Sequence, residues 1–165
     1  MVALKMQKTY TAKPSSLAPE WHLFDAALQP MGRLATEVAR VLQGKHRAFY
    51  TANIKTGDFV VIVNASRVMV TGKKVSQMLV RSHSGYPGGM RTLTLGEMLQ
   101  RNPAKVIEHA VQGMLPRTTL GRQMLKRMKV YPLAEHPHRA QIAGFGTAEA
   151  RAREGLAPST ASREG

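Results

Sequence analysis

The chain has 165 residues, enough for one domain with a substantial core, and 24 Lys and Arg against 10 Asp and Glu give it a formal net charge of +14. Such an excess strains an isolated compact chain by self-repulsion and becomes useful when a polyanion neutralises it. The absence of cysteine excludes disulfides, thiolate catalysis and cysteine-held zinc, and aromatics at 5% are too few to stack successive bases, which favours a reader of phosphates and RNA shape.

Residues 1–16 read as a basic, loose N-terminal extension. Lys5, Lys8 and Lys13 are not followed by an apolar run, so neither a signal peptide nor a membrane anchor is expected. Trp21-His22-Leu23-Phe24-Asp25 then reads as a short buried strand, with Trp21 serving the core. Met31, Leu34, Ala35, Val38, Val41 and Leu42 recur at helical spacing. Pro30 stands at the entrance of that helix and Gly44 at its C-terminal cap.

Gly44-Lys45-His46-Arg47 forms a basic loop where cations complement the helix dipole. Phe59-Val60-Val61-Ile62-Val63 has no alternation. A β-branched run of this kind suits a strand buried on both faces of a parallel sheet, and with the preceding strand and helix it predicts a βαβ unit. Asn64-Ala65 is expected to be a turn. Val68-Met69-Val70 is expected as a further short strand.

Thr71-Gly72-Lys73-Lys74 brings a phosphate-binding loop to mind, but Arg67 stands where that motif needs its first glycine and Lys74 where it needs Ser or Thr. Lys73 and Lys74 are therefore charges for neutralising a backbone. The excursion from Arg81 to Arg91 places three glycines around Pro87, which lets backbone approach another surface, and its two arginines set the sign of that surface. A short helix over Leu95–Gln100 follows, then a fresh start at Asn102-Pro103 with Val106, Ile107, Ala110, Val111 and Met114 on one face.

Past Pro116, Thr118 or Thr119 is positioned to cap a helix with Leu120, Met124, Leu125 and Met128 on its buried stripe. Arg122, Lys126 and Lys129 fall opposite. Between Glu108 and Glu135 there is no acidic residue, while Arg117, Arg122, Lys126, Arg127 and Lys129 supply five positive charges. A helix that buries one face and offers only cations on the other suits a polyanion. Val130-Tyr131 is expected in a last strand. After Gln141 the large apolar residues thin out, and 142–165 reads as a low-complexity tail behind a single domain of 17–141.

Several strings in this chain closely resemble the signature of the L-thirteen family of large-ribosomal-subunit proteins. They are Gly113-Met114-Leu115-Pro116, Leu120-Gly121-Arg122, Leu125-Lys126-Arg127-Met128-Lys129-Val130-Tyr131 and His136-Pro137-His138 with Ala140-Gln141. The resemblance runs from about Met6 to Gln141. Met6-Gln7-Lys8-Thr9-Tyr10 looks like the family's usual start, so residues 1–5 read as an extra leader or an alternative start.

The resemblance implies an α/β fold of three layers, α/β/α, on a four-stranded mostly parallel sheet with basic loops and terminal extensions. It implies binding to large-subunit ribosomal RNA beside neighbouring large-subunit proteins, in the cytoplasmic ribosome, with help to early assembly. No cofactor, metal, membrane or small-molecule substrate is expected. Charge and resemblance together nominate as RNA-contacting Lys45, His46, Arg47, Lys73, Lys74, Arg81, His83, Ser84, Gly85, Tyr86, Gly88, Gly89, Arg91, Arg117, Arg122, Lys126, Arg127, Lys129, His136 and His138. A small RNA-modifying or RNA-processing enzyme could dock RNA on the same surface. However, His83, His136 and His138 lack the partners that metal or triad chemistry needs.

Overall fold

The computed structural model describes residues 11–13 and 17–145. The Met6–Tyr10 start and residues 146–165 of the expected tail lie outside them.

A parallel sheet forms the centre. Its strands are β1 (Trp21–Asp25), β2 (Phe59–Val63) and β5 (Met128–Val130), in the order β1-β2-β5. Trp21 pairs with Phe59 and Val60 with Met128, so both neighbours run parallel to β2. The unalternated run of β2 has its expected place: as the middle strand it is covered on both faces, and Val60, Val61, Ile62 and Val63 are all buried. Among the described residues the sheet has three strands rather than the four expected. Val68-Met69-Val70 does not form one of them, and Met69 contributes only an isolated bridge to Pro30.

Helix α1 (Met31–Gln43) links β1 to β2 and buries Leu34, Ala35, Val38, Ala39 and Leu42. Gly44 closes it in the left-handed region at φ 81°, with its N–H and the next one turned back onto the carbonyls of Val41 and Arg40. The following loop returns tightly along the same helix. A Cβ on Gly57 would land on the Leu42 carbonyl, so only glycine allows this approach.

After the 3-10 turn Ala65–Arg67 and a single helical turn, α2 (Lys74–Gln77), strands β3 (Leu79–His83) and β4 (Met90–Thr94) form a separate antiparallel hairpin. This pair is largely exposed on both faces. The hairpin joins the core through α3 (Leu95–Arg101), which packs on α4 (Pro103–Met114). The caps are those the side chains favour. Thr94 and Glu97 form a reciprocal capping box at α3, and Asn102 accepts the Lys105 N–H ahead of Pro103 at α4.

α4 turns Val106, Ile107 and Val111 inward, but Met114 ends it exposed. Helix α5 (Thr119–Leu125), capped by Thr118, buries Gly121 and Met124. It stops one turn earlier than its stripe suggested, because Met128 is drawn into the sheet against Val60. Finally α6 (Arg139–Phe145) crosses the boundary expected at 141/142. Ile142 is buried with Val61 and Val63, beside Trp21, Leu23 and Tyr131.

Candidate nucleic-acid interface

The nominated residues divide into those left in solvent and those held inside the protein. Lys126 ends α5 as its cap, Arg122 lies one turn earlier, and Lys129 sits on the outward side of β5 between the buried Met128 and half-buried Val130. All three are exposed. Lys129 thus points outward from a strand rather than from the helix expected there. Arg117 is exposed just ahead of α5.

A second exposed group lies on the hairpin. Arg81 and His83 alternate along β3, and Arg91 faces Ser82 across the ladder. The tip between them folds back on itself: Ser84 N–H donates to the Gly89 carbonyl and Gly89 N–H to Tyr86, with Gly85 and Gly88 at positive φ. Tyr86 is 76% exposed, so the tip presents an aromatic ring to whatever lies beyond it. Lys73 and Lys74 are exposed at the start of α2, the short helix that leads into this hairpin.

Arg47 and Arg127, half-buried, and His46, still exposed, are placed differently, each tied to groups within the protein. Asp58, wholly buried at the entrance to β2, takes Arg47 Nη2 at 2.6 Å on Oδ1 and Arg47 Nε at 3.2 Å on Oδ2. His46 Nε2 and His22 Nε2 approach Oδ2 at 2.8 and 3.1 Å, and the Glu20 N–H donates to Oδ1 at 2.9 Å. Burial alone would raise the Asp58 pKa. The hydrogen bonds from His22 and the Glu20 N–H, with the Arg47 charge, outweigh it and hold the carboxyl below its ordinary value.

Arg127 donates to the Gly57 carbonyl and lies over the Phe59 ring, 5.2 Å from its centroid. Burial lowers its pKa and the Asp58 charge partly restores it. Arg47 and Arg127 already have internal partners, so less of their charge is available outside. Lys45, immediately before His46, remains exposed.

His22, His46 and Asp58 also bring three ligand-type atoms within 4.8 Å of one another. The Asp58 oxygens are fully engaged, and the Arg47 guanidinium bonds to both of them. This is an ion cluster that ties β1, the loop after α1 and β2 together. His138 is packed 5.1 Å from Trp21 and 6.0 Å from Tyr131, and His136 lies 6.3 Å from Tyr131, so both rings sit in an aromatic cluster at the start of α6.

One feature escaped the sequence reading. A half-open cavity of about 480 Å³ lies between Leu17–Pro19, the loop Asn53–Gly57 and α5, with Arg47 and Arg127 in its wall. Lys55 in that loop was the only sequence signal, a lone cation with no run around it.

Comparison with known proteins places the chain. Residues 19–137 match the model of the family described as Ribosomal protein L13. The large ribosomal subunit protein uL13 of Synechococcus elongatus is 54% identical over 136 residues, covering 82% of this chain and 90% of that protein. Its counterpart in Thermobifida fusca is 48% identical over 134 residues, covering 81% and 90%, and that of Hahella chejuensis is 50% identical over 134 residues, covering 81% and 94%. With the match spanning the sheet, the hairpin and the cationic α5–β5 segment, the chain belongs to the ribosomal protein L13 family.

Proposed function

We propose that this protein is a structural, non-enzymatic constituent of the large ribosomal subunit that binds large-subunit ribosomal RNA beside neighbouring ribosomal proteins and helps early assembly. The observation that carries the RNA contact is the α5–β5 segment. Arg122, Lys126 and Lys129 stand in solvent without an ion pair among the described residues, in a stretch with no acid between Glu108 and Glu135. Surfaces without such a partner usually mix charge signs. Lys45, Arg117 and the hairpin residues Arg81, His83 and Arg91 extend this set, with the glycine-rich tip letting an RNA backbone approach closely.

The mechanism is scaffolding. Cationic side chains neutralise phosphates of RNA helices that would repel one another, and the released counterions favour the folded arrangement. His46, Arg47 and Arg127 support this surface by fixing the loops beneath it. His136 and His138 hold the start of α6 in place, and any RNA contact they make is secondary to that packing.

The test is binding to a large-subunit ribosomal RNA fragment over a salt series. The log–log slope should reach several units, at about 0.7 to 0.9 per phosphate contacted. A slope near zero contradicts the reading.

A further inference from the structure

We infer that the cavity between Leu17, Ile54 and Leu120 receives a single unpaired nucleotide of RNA, held by its base and not by its phosphate alone. This rests on the RNA-binding function proposed above and adds to it a site that reads a base.

The size is suitable. At about 480 Å³ and half open, the cavity falls within the range of about 300–1,000 Å³ common for small-ligand sites. Its walls are mixed in the way a nucleotide needs. Leu17, Ile54 and Leu120 give an apolar surface against which a base can lie. Asn53 and Gln123 flank it, exposed and with no side-chain hydrogen bond to other described residues, and each amide offers both a donor and an acceptor to a base edge.

Charge supplies the sign of the occupant. Lys55 has no ion pair among the described residues and is placed to meet a phosphate at the rim. Arg47 and Arg127 line the wall with guanidinium groups already fixed by Asp58 and Gly57, so the wall is in place before anything binds and Lys55 supplies the charge that is not paired within the described residues. The wall is rigid for the same reasons. Thr56 donates to the Gln43 carbonyl, and Gly57 is wedged against Leu42. Sequence-specific RNA recognition works mostly through unstacked bases, and an apolar wall flanked by the Asn53 and Gln123 amides offers a base both a face to lie on and partners for its edge.

The experiment is ultraviolet cross-linking of intact large subunits that carry this protein, with nucleotide-modified peptides mapped by mass spectrometry. A parallel measurement follows binding of the free full-length chain to its ribosomal RNA fragment. A mononucleotide adduct is expected on the peptides around Asn53–Gly57 or Leu120–Gln123. Leu120→Trp, which fills the cavity, should remove that adduct and weaken RNA binding about tenfold at an unchanged salt slope. Gln123→Ala, a milder change on an exposed side chain, should weaken binding without altering the melting temperature, which keeps the test valid if Leu120→Trp fails to fold. The inference is overturned if adducts occur only on the hairpin and the α5–β5 segment, if the cavity peptides cross-link to another protein or to the N-terminal segment of this chain, or if Gln123→Ala binds as the wild type does. Loss of the salt slope itself would instead overturn the RNA-binding function.

Discussion

Arg47 and Asp58 meet at 2.6 Å, the arginine from the loop after α1 and the aspartate from the head of β2, with the carboxylate fully buried. The pair joins the basic loop to the sheet, and His22 and His46 close around it. Replacing Asp58 by Ala removes the buried partner of the Arg47 guanidinium and leaves it only the more exposed Glu20 carboxylate, 3.4 Å away. Such a loss typically costs about 3–5 kcal/mol, and urea unfolding of the variant should show it.

The same carboxylate sets a pH dependence. Its folded-state pKa lies below the ordinary value of 3.8, so its contribution is complete above that value and is lost as pH falls through the lower folded value. Unfolding free energy measured from pH 6 down to about pH 2 should therefore decline on the acid side, and Asp58→Asn should flatten that part of the curve. An unchanged acid limb would show that Asp58 contributes nothing to it.

Glycines separate close packing from open surface. Gly57→Ala should be strongly destabilising, since the new methyl collides with the backbone of Leu42. Gly113, inside α4, has nothing within 4 Å of its would-be Cβ. Gly113→Ala should stabilise the free protein by about 0.5–1 kcal/mol through helix propensity. Thermal melts of the two variants should move in opposite directions.

The domain end is tested by truncation. Removing residues 146–165, poor in large apolar side chains, should leave the melting temperature of the free protein nearly unchanged. Ile142→Ala, at a buried position against Val61 and Val63, should cost about 2–5 kcal/mol. A large loss from the truncation would place the end of the domain beyond α6.

Much of this architecture was legible because the signals are local. The run Phe59–Val63, the spacing from Met31 to Leu42, the Gly44 cap and the caps Thr118 and Asn102 each depend on neighbours within a few residues. What could not be read depends on distant partners. Asp58 looks like a turn residue until His22, 36 positions away, and Arg47, 11 positions away, converge on it. The α5 stripe continued to Met128 in sequence, yet pairing with Val60 took that residue into a strand. Likewise Val68-Met69-Val70 has strand composition but only Pro30 to pair with, at Met69. At the interface, sign and exposure of Arg122, Lys126 and Lys129 were legible from composition. The internal commitments of Arg47 and Arg127 were not.

The most direct test reverses the charges of Arg122, Lys126 and Lys129 together to Glu. All three are exposed, and Met124 and Met128, which carry the packing of this segment, are untouched. The free variant should unfold close to wild type, since exposed substitutions usually change stability by no more than about 0.5 kcal/mol each. Its incorporation into large subunits should collapse, while Met124→Ala should lower stability and leave the cationic surface intact. Quantifying incorporation alongside unfolding decides the matter: loss of assembly with a stable fold is the predicted result, and a triple reversal that assembles like wild type contradicts the assignment of this surface to RNA.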